Sequence, residues 1–519
     1  MITLWDENLY WTELLRQEGV SFRPGTRLDG RPVVILNPKQ GGLNAQLLWQ
    51  HIYSGNCLLA EGTAAASVWR ELGSEKGYLR WIAPDGESPL FRNVGIIDTE
   101  TRGEVLPGAN SGTTDTGAKA IIAGPAGRGF RVILPFSLDK VLSTVGDGPK
   151  QFPADAPRLP YDTVARVSRG EARRLVGNAL RLLLNHLDLP YVHLSPVPGQ
   201  ARSAFAFRVD TDFGPRKDLE AVARLAERVG MKFSWFVNVG KHKPHLDLFA
   251  DLARKGHDIQ LHCMRHAVYP DYKPNLHNFK RGMDVMADAG IAPVGVVAPF
   301  GEWNPNLNRA FEDLGFEYSS EFCLAYDDLP FRPVVGSRLS KVLQVPVHPI
   351  CLGRLAAARA SEQQMAAYFR AVIDLQVARR EPCIIYDHPE RIAQFEALLA
   401  DVLAYGKERC GSVMTMTDYA RWWQGRERFV WSDIVSGKTL QINAGSDDSN
   451  LSIVAEQDGR YATLPAREAT YDLAKLDWQP LPEPIPFDPK ALLARKPSFL
   501  LKARSLNRKV RKTLQGHRG

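Results

Sequence analysis

The stretch SAFAFRVDTDF, residues 203–213, sets a run of strand-forming residues directly against two carboxylates. Phe205, Phe207 and Val209 fall on alternate positions, which predicts an extended segment. Asp210 and Asp212 stand two apart at its end, so in extended backbone both carboxylates project to one face. Two close carboxylates also separate in proton affinity, which lets one act as a base while the other holds a cation. Outward from this segment the pattern repeats: helical periodicity over 219–229, a strand in KFSWFVNV (232–239), a helix over 246–255 and a strand in HDIQLH (257–262). Strand followed by helix, repeated, predicts parallel strands that carry functional residues at their C-terminal ends.

The last of those strands runs into HDIQLHCMRHA (257–267), where His262 and His266 are four apart. That spacing predicts two imidazoles on one side of a helical turn. With Asp212 they make a His, His, carboxylate set that leaves positions open for water and substrate. A third element, CIIYDHP (383–389), is an apolar strand that delivers Asp387 and His388 at its end, where a general acid can sit.

Length and composition bound the rest. A chain of 519 residues exceeds one hydrophobic core, so two or three domains are expected, and 44% hydrophobic with 24% charged residues is ordinary for a globular protein. The net charge of +7 belongs to the end of the chain: ten Lys and Arg follow Asp488 with no acid among them, leaving 7 − 10 = −3 for residues 1–488. No nucleic-acid partner is expected from that distribution. The six cysteines show no CxxC pair, and the N-terminus carries Asp6, Glu7 and Glu13 where a leader would be basic and apolar. No stretch approaches the roughly 18 apolar residues of a membrane span, so a cytoplasmic protein is expected.

Residues 1–190 read as an α/β accessory domain without catalysis of its own, with helices over 8–17 and 43–52, strands over 32–36 and 131–135, and an amphipathic helix over 171–187. A Pro-rich connector at 189–199 marks a boundary before a central domain at 200–425. Short alternating runs at 438–442 and 451–455 predict a small β-rich domain over 426–488. In the basic tail, 489–519, Phe499, Ala503, Leu506, Val510 and Leu514 recur at helical spacing among Lys and Arg. Such a helix suits peripheral contact with an anionic membrane, at the inner face of the cytoplasmic membrane.

Over 203–423 the chain resembles the polysaccharide deacetylases, the NodB-homology or carbohydrate esterase family 4 enzymes. VDTDF is similar to their first motif, KGHDIQLHCMRH to their H-T-x-x-H segment, VAPFG in part to R-x-P-Y, and IIYDHP to the last motif. The resemblance implies a central distorted (β/α) barrel of the NodB type in an α/β multidomain chain. It implies Asp212, His262 and His266 as ligands of one divalent metal ion, zinc first with cobalt or nickel as substitutes, Asp210 as general base and His388 as the acid for the leaving amine. The backbone N–H of Phe300 would complete an oxyanion site, and Trp303 could stack on a sugar. The motif arginine falls on Val297, so Asp210 needs Arg208 or Arg265 in its place; His348 is expected to be structural. The implied activity is removal of an acetyl or formyl group from an amino sugar, free or in a lipid-linked glycan, in surface polysaccharide or lipopolysaccharide O-antigen assembly. The alternatives are an impaired, metal-containing glycan-binding protein and an amidohydrolase of another C–N bond. In the first domain, GRGFRVILPFSLD (127–139) is locally similar to class I glutamine amidotransferase-like domains, which with the flavodoxin-like alternation suggests that fold. Cys57 in SGNCLLAEG lacks the second glycine of a nucleophile elbow, because Leu59 stands there.

Overall fold

Strand and helix alternate from Ser203 onward as the pattern predicts, and the strands are parallel. In chain order they are β1 (Ser203–Asp210), β2 (Ser234–Asn238), β3 (Asp258–Cys263), β4 (Gly295–Val296), β5 (Tyr318–Ser319), β6 (Leu343–Gln344), β7 (Cys383–Asp387) and β8 (Gly411–Val413). The sheet order is β6-β5-β4-β3-β2-β1-β7, with β8 paired to β1. In this computed structural model, which describes residues 1–28, 31–37, 44–69, 72, 75–86 and 88–495, the sheet curls towards a barrel. Beyond β6 the backbone N–H of His348 donates to Ile384 of β7 at 2.9 Å, so the two edges approach closure. Every residue of β1 is buried, because helices cover the outside while functional side chains fill the inside. The outer helices turn apolar faces inward: Leu219, Val222, Leu225 and Ala226 of the helix Arg216–Val229 pack on Phe205, Phe207 and Val209 in one core.

The chain divides into two compact units, and neither is a single stretch of sequence. One holds Val145–Arg166 with Ala201–Trp423 and the described residues from Asp488; the other holds Met1–Thr144, Val167–Gln200 and Gln424–Phe487. The division therefore differs from the linear one expected at about 190 and 426. Strands Asp147–Gln151 and Tyr161–Ala165 form an antiparallel hairpin. Its hydrogen bonds run to the barrel segment of the chain: Ala165 N–H to Phe322 at 3.0 Å and Arg158 N–H to Ala358 at 3.2 Å. Phe152 packs against the barrel's core.

In the other unit a nine-stranded sheet is mixed. Phe22–Gly25, Ile2–Trp5, Val33–Leu36, Cys57–Glu61 and Gly129–Leu134 are parallel neighbours, and the remaining four strands are antiparallel. The runs expected at 438–442 and 451–455 fall on the strands Thr439–Ala444 and Asp448–Gln457. Yet Asp448–Gln457 pairs with Tyr191–Leu194, so the C-terminal strands join the first part of the chain. Arg426 reinforces the link: buried, it donates to the carbonyls of Gln17, Leu194 and Ser195 at 2.9–3.0 Å. Cys57 is fully buried, and burial pushes its thiol up to about 11, as befits a core residue. Among the described residues no helix is long and apolar enough to cross a membrane. The amphipathic tail positions from Phe499 to Leu514 lie outside the described residues.

Three histidines of the barrel unit are held neutral by burial, each pushed down to about 4: His242, His257 and His348. His257 shows why. Its Nδ1 accepts from the Phe233 N–H at 3.1 Å and Trp235 Nε1–H at 3.3 Å, and a proton there would break both bonds. His348 meets Tyr368 Oη at 3.0 Å, in keeping with its expected structural role. Because the unfolded chain binds these protons near pH 6.5 and the folded one only near 4, the contribution of these histidines to stability rises with pH across that window. Each histidine adds a slope of up to about 1.4 kcal/mol per pH unit. Buried Glu61, Glu321 and Asp387, pushed up by burial to about 7, 7 and 6, pull the opposite way in the same window, so the histidines are read by difference: His348→Gln should reduce proton uptake on unfolding at pH 5 by about one. An unchanged slope in that variant would remove His348 from this account.

Candidate functional site

All the sequence-predicted polar groups that reach the site arrive from one end of the parallel sheet, because parallel strands place every C-terminus on the same side. Asp210 closes β1. Asp212 follows in a left-handed turn at φ 38°, not in extended backbone, so its carboxylate is aimed by the turn rather than by strand alternation. Asn238, at the end of β2, holds that turn: its backbone N–H donates to Thr211 Oγ1 at 3.0 Å and its side chain to the Asp212 carbonyl at 2.9 Å.

His262 lies within β3, and His266 in the bend that follows. The helical turn expected from their spacing is absent. A strand buried on both sides delivers the first imidazole, and Asn278 clamps the bend that delivers the second, accepting from the Arg265 N–H at 2.6 Å and donating to the carbonyls of Arg265 and Ala267. Nδ1 of His262 meets the Val297 carbonyl at 2.8 Å, which turns Nε2 inward. That Nε2 is buried, directs no hydrogen bond and lies 3.1 Å from Asp212 Oδ1, while His266 Nε2 is 3.3 Å from the same oxygen. Ligand atoms sharing a tetrahedral face around zinc would be about 3.3 Å apart. One carboxylate oxygen and two imidazole nitrogens at this spacing fit a divalent cation. Burial alone would raise Asp212, but the facing histidines outweigh it and hold the carboxyl well below the usual range.

Asp210 is partnered. Arg208, two residues earlier on the same face of β1 and fully buried, donates Nε and Nη2 to its two carboxylate oxygens, both at 2.6 Å. Its Nη1 reaches Ser320 O at 3.0 Å and Oγ at 3.1 Å, and the guanidinium carbon lies 5.3 Å from the ring centres of Phe236 and Tyr386. Arg208 thus occupies the place that Val297 leaves open. Arg265 is exposed and lines no part of the site.

His388 follows β7, with Nε2 3.5 Å from Asp212 Oδ2. Burial pulls it down, but Cys351, Asp212 and Asp387 together push it up to about 10; a cation on Asp212 would oppose that push. Cys351, Asp387 and His388 also lie close enough to share a metal. Both Asp387 oxygens, however, already accept backbone N–H groups, from Leu352 at 2.6 Å and His388 at 2.9 Å.

Asp210, Asp212, His262, His266, Cys351 and His388 line one open cavity of about 690 Å³. Phe300, itself left-handed at φ 62°, sets its ring edge-on to His266 with centroids 4.7 Å apart. Next to it, Gly301 is required: a Cβ there would stand 2.5 Å from the Phe322 ring. Trp303 does not line the cavity but packs with Leu324, Ala325 and Phe331. The sequence patterns gave no warning of Asp162, Cys351, Arg354 or Arg391, which also line the cavity. None lies at the end of a β1-like motif, and Asp162 comes from the hairpin.

Residues 209–319 match the family model described as Polysaccharide deacetylase, so this segment carries a domain of that family. Among solved structures the chain is similar to a protein of Mycobacterium smegmatis described as a polysaccharide deacetylase, at 19% identity and a TM-score of 0.39, covering 44% of this chain and 94% of that one. Puue allantoinase is similar at 18% and 0.39, covering 44% and 93%. A protein of Pseudomonas aeruginosa PAO1 described as a polysaccharide deacetylase is similar at 18% and 0.38, covering 43% and 92%. No curated protein matches the chain.

Removing the guanidinium should leave a buried, unpaired carboxylate. Arg208→Met is therefore expected to cost about 3–5 kcal/mol of unfolding free energy, and Arg208→Met with Asp210→Asn considerably less. Denaturant melts of the two variants measure the difference; equal losses would mean that the pair is not what places Asp210.

Proposed function

We propose that the barrel unit hydrolyses the N-acyl group, acetyl or formyl, of an amino sugar within a glycan, and that it depends on a divalent metal ion. The observation that carries this reading is the meeting of Asp210, Asp212, His262, His266 and His388 in one cavity of a domain of the polysaccharide deacetylase family. Asp212, His262 and His266 would hold the ion, which when bound supplies Lewis acidity towards the acyl carbonyl and makes a water more acidic.

The chain's own groups divide the remaining work. Asp210 accepts the proton of the attacking water, oriented by the fork of Arg208, which leaves the carboxylate one geometry. His388, whose Nε2 faces Asp212, gives a proton to the departing nitrogen. The backbone at Phe300 is the expected contact for the developing oxyanion. Phe213 and Phe300, with ring centroids 5.2 and 4.7 Å from that of His266, offer apolar surface against which an acyl methyl can rest. Val297 favours an impaired, purely glycan-binding protein as the alternative; the pairing of Arg208 with Asp210 supports the hydrolytic reading over it.

Elemental analysis of purified wild type should find about one divalent ion per chain, with losses in both His262→Ala and His266→Ala. Wild type should release acid from N-acetylated or N-formylated amino sugars or their oligomers, and Asp210→Asn should lose about 10²–10⁴-fold in turnover while retaining metal. Metal-loaded enzyme that leaves all of these compounds intact but opens allantoin would replace the sugar with another C–N substrate. Absence of any metal uptake would overturn the mechanism.

A further inference from the structure

We infer that Arg354, clamped by Asp162, is a specificity-determining residue that selects an oxyanion on the substrate, either a ring carboxylate or a phosphate. The inference rests on the proposed amino-sugar reading for the reaction, and the hairpin that supplies Asp162 lies outside the segment that matches the deacetylase family.

Arg354 sits in the helix Leu352–Ala357, next to Cys351 on the cavity wall. Its Nε and Nη2 donate to the two oxygens of Asp162 at 2.9 and 2.8 Å. The Asp162 side chain is 2% exposed, whereas that of Arg354 is 37% exposed. One edge of the guanidinium is thus spent on a buried anchor, and the other is turned to the open space. A guanidinium has five N–H donors and this anchor uses two. Nη1 donates to no acceptor among the described residues, and with the second N–H of Nη2 it forms a flat pair of donors. That geometry matches a carboxylate or phosphate bidentately.

The anchor also removes the usual cost of ordering a long side chain on binding, since the fork is already fixed. Two further charges line the same wall, Arg391 and Glu390, both exposed. They are adjacent, opposite in sign and screened by solvent, so they contribute little selectivity between them. Discrimination falls to Arg354.

The test compares binding and turnover of three probes by the full-length, metal-loaded protein: N-acetylglucosamine, N-acetylglucosaminuronic acid and N-acetylglucosamine 1-phosphate. Calorimetric titration should show at least one charged probe bound about tenfold or more tighter than the neutral one. Arg354→Gln should abolish that preference, and Arg354→Lys should restore it only in part because the fork is lost. Preference for the uronic acid identifies a ring carboxylate; preference for the sugar phosphate identifies a glycosyl phosphate. Equal affinity for all three, or equal loss for charged and neutral probes in a variant that melts like wild type, would overturn the inference. Because binding is read separately from acid release, charge-selective binding without hydrolysis would overturn only the proposed reaction.

Discussion

A buried guanidinium governs the architecture around the site. Arg208 has no exposure to water, so every one of its donors and its charge must be met inside the protein. Asp210 meets the charge, Ser320 accepts from the remaining nitrogen, and the rings of Phe236 and Tyr386 receive its faces. These partners come from β1, β2, the end of β5 and β7. Satisfying one residue thereby ties four strands together, and with them the orientation of the Asp210 carboxylate. At Val297 the chain contributes a carbonyl to His262 and a side chain to the interior, while the arginine enters from β1, three strands along the sheet.

Around this pair the site is built from strand ends and strained turns. Asp212 and Phe300 both adopt positive φ, a conformation that costs a non-glycine residue of order 1–3 kcal/mol. Hydrogen bonds from Asn238 hold the first, while packing of the Phe300 ring on His266 accompanies the second. Strain of this kind persists only where the surroundings leave no alternative. Here it turns the Asp212 carboxylate towards His262 and His266 and accompanies the placing of the Phe300 ring against His266.

The hairpin at Asp147–Ala165 shows how a piece of chain far from the barrel in sequence becomes part of its wall. Asp162 lies on a hairpin strand and is buried, and its carboxylate is matched by Arg354 across an interval of nearly two hundred residues. The antiparallel pairing of Tyr191–Leu194 with Asp448–Gln457 joins distant segments in the other unit in the same way. Each unit is therefore closed by contacts whose partners are widely separated along the chain, which makes the chain costly to fold but well defined once folded.

The linear pattern alone determined the alternating strands and helices of the barrel and the parallel order that puts their C-termini together, and it pointed to Asp210, Asp212, His262, His266 and His388, which the fold brings to one cavity. Apolar periodicity and the residues at strand ends are local properties, and local properties survive translation into sequence. Arg208 was one of two open choices for the partner of Asp210; the strand face it shares with that residue decided it. The helical turn expected for His262 and His266 failed because i, i+4 spacing fits a strand followed by a bend equally well, and the Asn278 clamp that decides between them lies twelve residues beyond His266. Trp303 and Arg265 were placed at the site by proximity in sequence, yet packing carried one into a small apolar cluster and the other to the surface. The discontinuous units, the Asp162 anchor and the shape of the cavity were decided only by tertiary structure, because each depends on which distant segments exclude water together, and no window of sequence contains both halves of such a contact.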